Sequence, residues 1–224
     1  MKSKSRKTAN LLHERQYFAY GCRHIVGLDE AGRGAWAGPV AAGAVCLPIE
    51  KPDLHKLMRG VNDSKQLSPL QRQQLVETIK THALTWGVGS ASSQEIDAHG
   101  IVPATMQAMQ RALYDALART PGFAVDTLFI DAMLLPELRQ FQQVSIIGGD
   151  ARSLSIAAAS ILAKVWRDDH MSQLDLNYPG YGFAEHKGYG VPQHSAALKQ
   201  AGPCPVHRLT FKPVRAYLTE EDDA

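Results

Sequence analysis

Gly27-Leu28-Asp29-Glu30-Ala31-Gly32-Arg33-Gly34 places two adjacent carboxylates directly ahead of a glycine-flanked arginine. The residues before it, Arg23 to Leu28, read as a short apolar strand, and Ala37 to Leu47, small and β-branched, reads as a second strand packed closely on the first. Asp29 and Glu30 therefore fall near a strand end, facing a turn. Hard oxygen ligands in such a place suit Mg²⁺ or Mn²⁺ better than zinc. Gly32 and Gly34 permit positive φ and close backbone approach, so main-chain N–H groups of the turn can point at a phosphate or a sugar hydroxyl while Arg33 adds charge. Taken alone, the same stretch also describes a tight turn with a surface ion pair. What decides between the two is whether other carboxylates and basic loops assemble around it.

Outward from these strands, expected over 24–29 and 38–47, comes a loop with Asn62-Asp63-Ser64-Lys65. Ser68 as N-cap and Pro69 at the first helical position then open a helix to about His82. Leu84 to Ser90 alternates as a strand does. Ser93 to Ala98 and Pro103 to Arg119 are helical, the second with Met106, Met109, Leu113 and Leu117 on one core-facing stripe. Asp126 to Asp131 is the next strand, apolar in its middle and ending in an acid; Val144 to Ile147 is another, closed by Gly148-Gly149-Asp150. The longest helix runs from Ser153 to about Asp175, and its segment Ile156 to Ala163 is small enough to pack tightly on a sheet. Strands alternating with helices imply an α/β fold, a mostly parallel or mixed sheet with helices on both faces. Residues 1–20 read as a basic tail leading into a short helix. The last thirty or so, with Pro192, Pro203, Pro205 and Pro213, read as a looser C-terminal region.

With 224 residues, 45% of them hydrophobic, the chain can bury the core of one such domain. The apolar run Ile156 to Ala163 is far too short to span a bilayer, and no charged segment followed by an apolar one opens the chain, which argues against secretion. Cys22, Cys46 and Cys204 are odd in number and lack metal spacing, as idle thiols of a reducing compartment would. A cytoplasmic protein is expected. Its net charge of +2 hides an asymmetry: Glu220, Glu221, Asp222 and Asp223 contribute −4, so the remainder carries +6. Lys2, Lys4, Arg6 and Lys7 form an arm that can touch a phosphate backbone or simply stay solvated.

Ligand sites in open α/β sheets gather at the carboxyl ends of strands. Asp29 and Glu30 end the first strand, Asp131 ends a later one, and Asp150 follows the next, so four carboxylates on three strand ends can converge. Like charges this close raise each other's pKa. Two divalent ions about 3.5 to 4 Å apart would relieve the repulsion, and such a pair activates a water and stabilises the leaving oxygen in phosphodiester cleavage. Each acid has a structural alternative as well: Asp131 as the cap of a short turn, Asp150 as a partner for the dipole of the long helix. Asp168, four residues after Lys164, reads as half of a helix-surface ion pair. His186-Lys187-Gly188-Tyr189-Gly190 is a loop suited to stacking on a base or sugar while its charge meets phosphate. Lys65, His207 and Arg208 are further basic loop positions, His207 by itself reading as structural rather than catalytic.

These pieces in this order resemble the bacterial ribonuclease HII family, the type 2 ribonucleases H, over roughly residues 24 to 215. The resemblance is carried by Asp29-Glu30-Ala31-Gly32-Arg33-Gly34 with Ala37-Gly38-Pro39-Val40, Asp63-Ser64-Lys65, Ile130-Asp131 and Gly149-Asp150. It continues through Ile156 to Val165 with Arg167-Asp168, His186-Lys187-Gly188-Tyr189, and His207-Arg208 before Phe211. It implies an RNase H-like fold, a central mixed sheet flanked by helices, with a small helical C-terminal region. It divides the chain into a basic tail (1–20), a catalytic domain (21–215, of which about 176–215 bind substrate) and an acidic tail (216–224). It implies a metal-binding catalytic set of Asp29, Glu30, Asp131 and Asp150, holding two Mn²⁺ or Mg²⁺ ions. Gly32, Arg33 and Gly34 would contact the backbone and 2′-hydroxyls around the cut, Tyr189 would sense the step from ribonucleotide to deoxyribonucleotide, and Lys65, His207 and Arg208 would join them at the substrate. The implied activity is hydrolysis of the RNA strand of RNA/DNA hybrids and nicking of duplex DNA 5′ of embedded ribonucleotides, leaving 5′-phosphate and 3′-hydroxyl ends. The expected enzyme is a monomer with no membrane partner. Two departures from the family pattern bear on loop rigidity: Ala35 stands where many members have proline, and Ala132 where glycine often follows the third acid.

Overall fold

The computed structural model describes residues 8–218, so the basic arm from Lys2 to Lys7 and the acidic end from Glu220 to Asp223 lie outside the described residues. Helix α1 (Leu12–Ala19) leads into strands β1 (Ile25–Ala31) and β2 (Val40–Cys46). Helices α2 (Leu54–Leu57) and α3 (Pro69–His82) follow, then β3 (Thr85–Ala91), α4 (Ser93–His99) and α5 (Ile101–Arg119). The second half holds β4 (Thr127–Asp131), β5 (Gln142–Ile146), the long α6 (Leu154–Asn177), and the short α7 (Phe183–His186), α8 (Pro192–Ala201) and α9 (Lys212–Arg215). The strands make one mixed sheet in the order β3-β2-β1-β4-β5. β1, β2 and β3 pair antiparallel, whereas β1, β4 and β5 run parallel. The α/β architecture with helices on both faces is thus the one the sequence pattern implies.

Local chemistry starts the elements where it was read. Ser68 accepts from the Gln71 N–H while the Gln71 side chain returns to the Ser68 N–H, so a capping box fixes the start of α3; Ser92 and Glu95 do the same for α4. One face of the sheet is covered by α5, whose buried Ala108, Met109, Ala112 and Leu113 meet Val26, Leu28, Ala42 and Ala44. Met106 and Leu117 pack at the edge of that cluster. The other face is covered by α6 through Ala157, Ala158, Ala159 and Ile161. Here helix and sheet touch backbone to backbone: a Cβ at Gly27 would fall on the Ser155–Ile156 peptide, and one at Gly43 on the Ala159 carbonyl.

The parallel pairing Ile25↔Thr127 to Leu28↔Ile130, carried one step further, brings Asp29 level with Asp131 on the neighbouring strand. Both acids therefore stand at the carboxyl edge of the sheet, one strand spacing of about 4.8 Å apart along the ladder. β5 pairs Ile146 with Asp131 and then turns through Gly148, in the left-handed region at φ 64°, into the 3₁₀ turn Gly149–Ala151 that carries Asp150.

The short helix expected near residue 20 is α1, and it is docked by Glu14, fully buried, whose Oε1 accepts from Ser153 Oγ (2.6 Å), the Ser155 N–H (3.0 Å) and Ser155 Oγ (2.9 Å) at the N-terminus of α6. A carboxylate there meets the positive end of the helix dipole as well as its unsatisfied amides, although all three bonds fall on Oε1 and Oε2 is buried without a partner among the described residues. The C-terminal region is less loose than its prolines suggest, because Pro192 and Pro213 sit in the first turns of α8 and α9, where a missing N–H costs nothing.

Ala132, directly after Asp131, has φ 51°. That conformation costs an L-residue about 1–2 kcal/mol and glycine almost nothing, while glycine's freer unfolded chain returns part of the difference. Ala132→Gly should therefore raise stability by about 0.5–1 kcal/mol, an upward shift of roughly 2 °C in a thermal melt. Gly43→Ala should act in the opposite direction, losing about 1–3 kcal/mol as the new methyl pushes α6 off β2. A Gly43→Ala melt equal to wild type would show that the helix can yield there.

Candidate active site

Asp29 is buried on β1. Its Oδ1 accepts from the Glu30 N–H at 2.8 Å, and the Ser160 hydroxyl of α6 faces it and eases its charge. Burial holds its carboxyl well above the usual carboxylate range, and the charges of Glu30 and Asp131 push the same way. Glu30 is raised chiefly by burial, with Arg33 opposing; Arg33 NH1 lies 3.2 Å from its Oε1. The other oxygen, Glu30 Oε2, is buried without a hydrogen-bond partner among the described residues. Asp131 Oδ1 accepts from the Gly149 N–H at 2.8 Å, which ties the end of β4 to the loop bearing Asp150. Asp150 is buried and raised by that burial and by Asp63, with Lys65 Nζ 3.3 Å from its Oδ2 opposing the shift.

The charge of Asp131 acts on Asp29, Glu30 and Asp150 alike, so the four acids form one electrostatic group. Among the described residues, no three acids, histidines or cysteines are drawn together tightly enough, as they stand, to enclose an ion. Arg33 and Lys65 instead each lie against one carboxylate. The donor set nonetheless fits a hard divalent cation: every candidate ligand is a carboxylate oxygen, and an orphaned buried oxygen such as Glu30 Oε2 is costly until a cation or a proton meets it.

Beside the acids lies an open groove of ≈ 320 Å³ lined by Glu30, Gly32, Arg33, Gly34, Lys65 and Tyr189. Gly32 has φ 92° and passes so close to Arg167 that a Cβ would overlap the guanidinium. The Tyr189 ring is flanked by cations, Lys164 Nζ at 5.6 Å and Arg167 Cζ at 5.3 Å from its centroid. Lys65 reaches the groove from a 3₁₀ turn, Ser64–Gln66, pinned by Ser64 to Ser160 (2.9 Å between hydroxyls) and by Arg72, which donates to the carbonyls of Ser64 and Leu67. Arg72 also meets Asp168 at 3.4 Å. The Lys164–Asp168 pair, at 2.7 Å, is thus largely shielded and shared, unlike the surface pair its spacing suggests. A more apolar cleft of ≈ 420 Å³ between α5 and Pro136–Leu138 contains none of these acids.

His207 and Arg208 lie elsewhere than a substrate contact would. Both are fully enclosed, and Arg208 spends its donors on backbone carbonyls: Gly38 (3.0 Å), Arg33 (2.8 Å) and Gly32 (2.8 Å). Its role is therefore to hold the Gly32–Gly34 turn from behind. Arg167 does the same for neighbouring segments, donating to the carbonyls of Pro39, Ala37 and Lys187. The sequence reading missed Arg72, Arg167 and Ser160 as supports of the site. The one signal available was a polar serine inside the apolar run of α6.

The family model described as Ribonuclease HII matches residues 26–214. The Ribonuclease HII of Roseiflexus castenholzii is 52% identical over 204 residues, covering 90% of this chain and 87% of that protein. Among solved structures, the ribonuclease H2 of Pyrococcus horikoshii OT3 superposes with a TM-score of 0.69 at 26% identity, over 87% of this chain and 96% of that one. Bst-RNase HIII in complex with Mn²⁺ shares the fold with a TM-score of 0.64 at 18% identity, over 87% of this chain and 68% of that one. The fold, the ordered motifs and a match across almost the whole sequence agree: the chain belongs to the ribonuclease HII family of ribonuclease H hydrolases.

Proposed function

We propose that the protein hydrolyses the RNA strand of RNA/DNA hybrids and nicks duplex DNA on the 5′ side of an embedded ribonucleotide, leaving 5′-phosphate and 3′-hydroxyl ends. The observation that carries this reading is that Glu30, one of four electrostatically coupled acids, lines a groove whose walls are the Gly32–Gly34 turn and Tyr189 and into which Lys65 reaches from Asp150. Asp29, Glu30, Asp131 and Asp150 would hold two Mg²⁺ or Mn²⁺ ions, which when bound supply an activated water and a stabilised leaving oxygen. Arg33 and Lys65, released from Glu30 and Asp150, would then be free to meet the phosphates that flank the cut. The turn would offer main-chain N–H groups to the 2′-hydroxyl, and the Tyr189 ring would pack on a neighbouring sugar that lacks one. Specificity would come from sugar and backbone, with no contact to base edges. The protein would act as a monomer in the cytoplasm; no helix among the described residues is long and apolar enough to cross a membrane.

The assay is direct. With Mg²⁺ or Mn²⁺, the purified protein should nick a duplex containing one ribonucleotide on its 5′ side and leave the all-DNA duplex intact; equal cutting of both would sink the specificity claim. Asp131→Asn should abolish cutting while largely sparing binding. Tyr189→Ala should lose about 10-fold more at the single-ribonucleotide junction than on a hybrid, the scale of one hydrogen bond with its packing.

The buried acids make a second prediction, in stability. Because the folded pKa of Asp29 lies above its unfolded value, the folded state binds the extra proton, and the ionised carboxylate destabilises the fold at every pH above both values. Asp29→Asn keeps an acceptor for the Glu30 N–H and removes the charge. In the presence of a chelator at neutral pH it should melt at least about 2 °C higher than wild type. That advantage should shrink as pH falls through the raised pKa towards 3.8. Millimolar Mn²⁺ should stabilise wild type more than the variant.

A further inference from the structure

His207 and Arg208 are adjacent in the chain and reach in opposite directions. Arg208 holds the carbonyls of Gly32 and Arg33; His207 meets His194 of α8, with 3.0 Å between their Nε2 atoms. His194 Nδ1 lies 3.0 Å from the Tyr189 carbonyl oxygen; at His207 Nδ1 the Cys204 N–H donates at 2.9 Å, with the Cys204 carbonyl oxygen and Sγ each at 3.2 Å. The Tyr189 end sets the proton order of the neutral pair. A carbonyl only accepts, so His194 carries its proton on Nδ1 and leaves Nε2 bare; the 3.0 Å contact between the rings then needs the proton of His207 on Nε2. His207 Nε2–H donates to the bare Nε2 of His194, and His207 Nδ1 accepts from the Cys204 N–H. A second proton on His194 would face His207 Nε2–H, and one on His207 Nδ1 would turn to the Cys204 carbonyl at 3.2 Å at the expense of the shorter bond from the Cys204 N–H.

The enclosure favours the same neutral pair. His194 stacks on His186 at 4.5 Å between centroids and is packed by Trp36 and Phe183, while His207 is packed by Tyr181 and Phe183. The titratable groups around the two rings are His186, Cys204 and Tyr181. Among the described residues, no carboxylate is ion-paired with either ring. Burial presses His207 down to about 4 and His194 below its ordinary value, and the neighbouring histidines add to both shifts.

We propose that His194 and His207 are a proton-fixed positioning pair that sets Tyr189 against the Gly32–Gly34 turn. His207 holds His194 in the one tautomer that grips the Tyr189 carbonyl, and the adjacent Arg208 grips the turn. One dipeptide thereby spaces both walls of the groove. The inference rests on the reading of those walls as sensors of the sugar, and its test separates the two.

Long-range ¹H–¹⁵N spectra of the wild-type imidazoles should show His194 as the Nδ1–H tautomer and His207 as the Nε2–H tautomer, both still neutral at the pH where a free imidazole is half-charged. The reverse tautomer for either ring, or a titration near its ordinary value, overturns the proposal without reference to activity. The second readout is the ratio of cutting at a single-ribonucleotide duplex to cutting of an RNA/DNA hybrid. His194→Gln, which loses the Tyr189 carbonyl, and His207→Leu, which loses the donor to His194, should each lower that ratio about 10-fold, the effect of a sub-ångström displacement of a specificity group. His207→Gln, whose Nε2 can still donate to His194, should restore it to within about 3-fold of wild type. An unchanged ratio in His207→Leu, beside a wild-type enzyme that does prefer the ribonucleotide, overturns the positioning pair alone. A wild-type enzyme with no such preference overturns the sugar-sensing reading, whatever the spectra show.

Discussion

The direct seating of α6 on β1 and β2 is the constraint on which the rest of the structure depends. Glycine at 27 and 43 removes the side chains that would hold the helix away, and the alanines from 157 to 159 remove them from the opposite side. With the helix so close, its side chains reach the carboxyl edge of the sheet without spanning a layer of core. Ser153, Ser160, Lys164 and Arg167 recur at intervals of seven, four and three, one face of a helix, and each serves a different part of the site. Ser153 takes the docking acid Glu14, Ser160 meets Asp29 and Ser64, Lys164 flanks Tyr189, and Arg167 backs the glycine turn.

Charge is distributed in two layers. The acids nearest the edge are raised by burial and by one another, and among the described residues the cations paired with them are the exposed ends of Arg33 and Lys65. Behind them, Arg72, Arg167 and Arg208 are almost entirely enclosed and bind mostly backbone carbonyls. A guanidinium suits that task because its planar fork matches several carbonyls at once and keeps its charge when buried. The outer layer is exchangeable and the inner one is not, which is how a site proposed to admit cations and phosphates can keep a fixed frame.

Much of the frame was legible in the sequence. The five strands, the main helices and the four acids were read within a few residues, because apolar periodicity and an acid at a strand end are local patterns. The supports were not legible, and the reason is chemical: Arg167, Arg208 and His194 bind main-chain carbonyls, which every residue possesses and no motif marks. The resemblance placed His207 and Arg208 at the substrate, and only their burial against main-chain groups shows otherwise, although His207 by itself reads as structural. Glu14 was missed for a different reason, its partner Ser153 lying 139 residues away.

That distance has a consequence for how the protein is made. A chain synthesised from its N-terminus completes α1 and the antiparallel strands β1 to β3 long before β4, β5 and α6 exist. The central strand β1 must wait for a parallel neighbour that follows an intervening helix, and Glu14 has no partner until the start of α6 has emerged. Two of the four acids stand on the early half and two on the late half. The nascent chain thus carries only half of the acids proposed to hold cations until the very segment that orders them is in place, so biosynthesis itself keeps the proposed centre unformed until the fold around it can close.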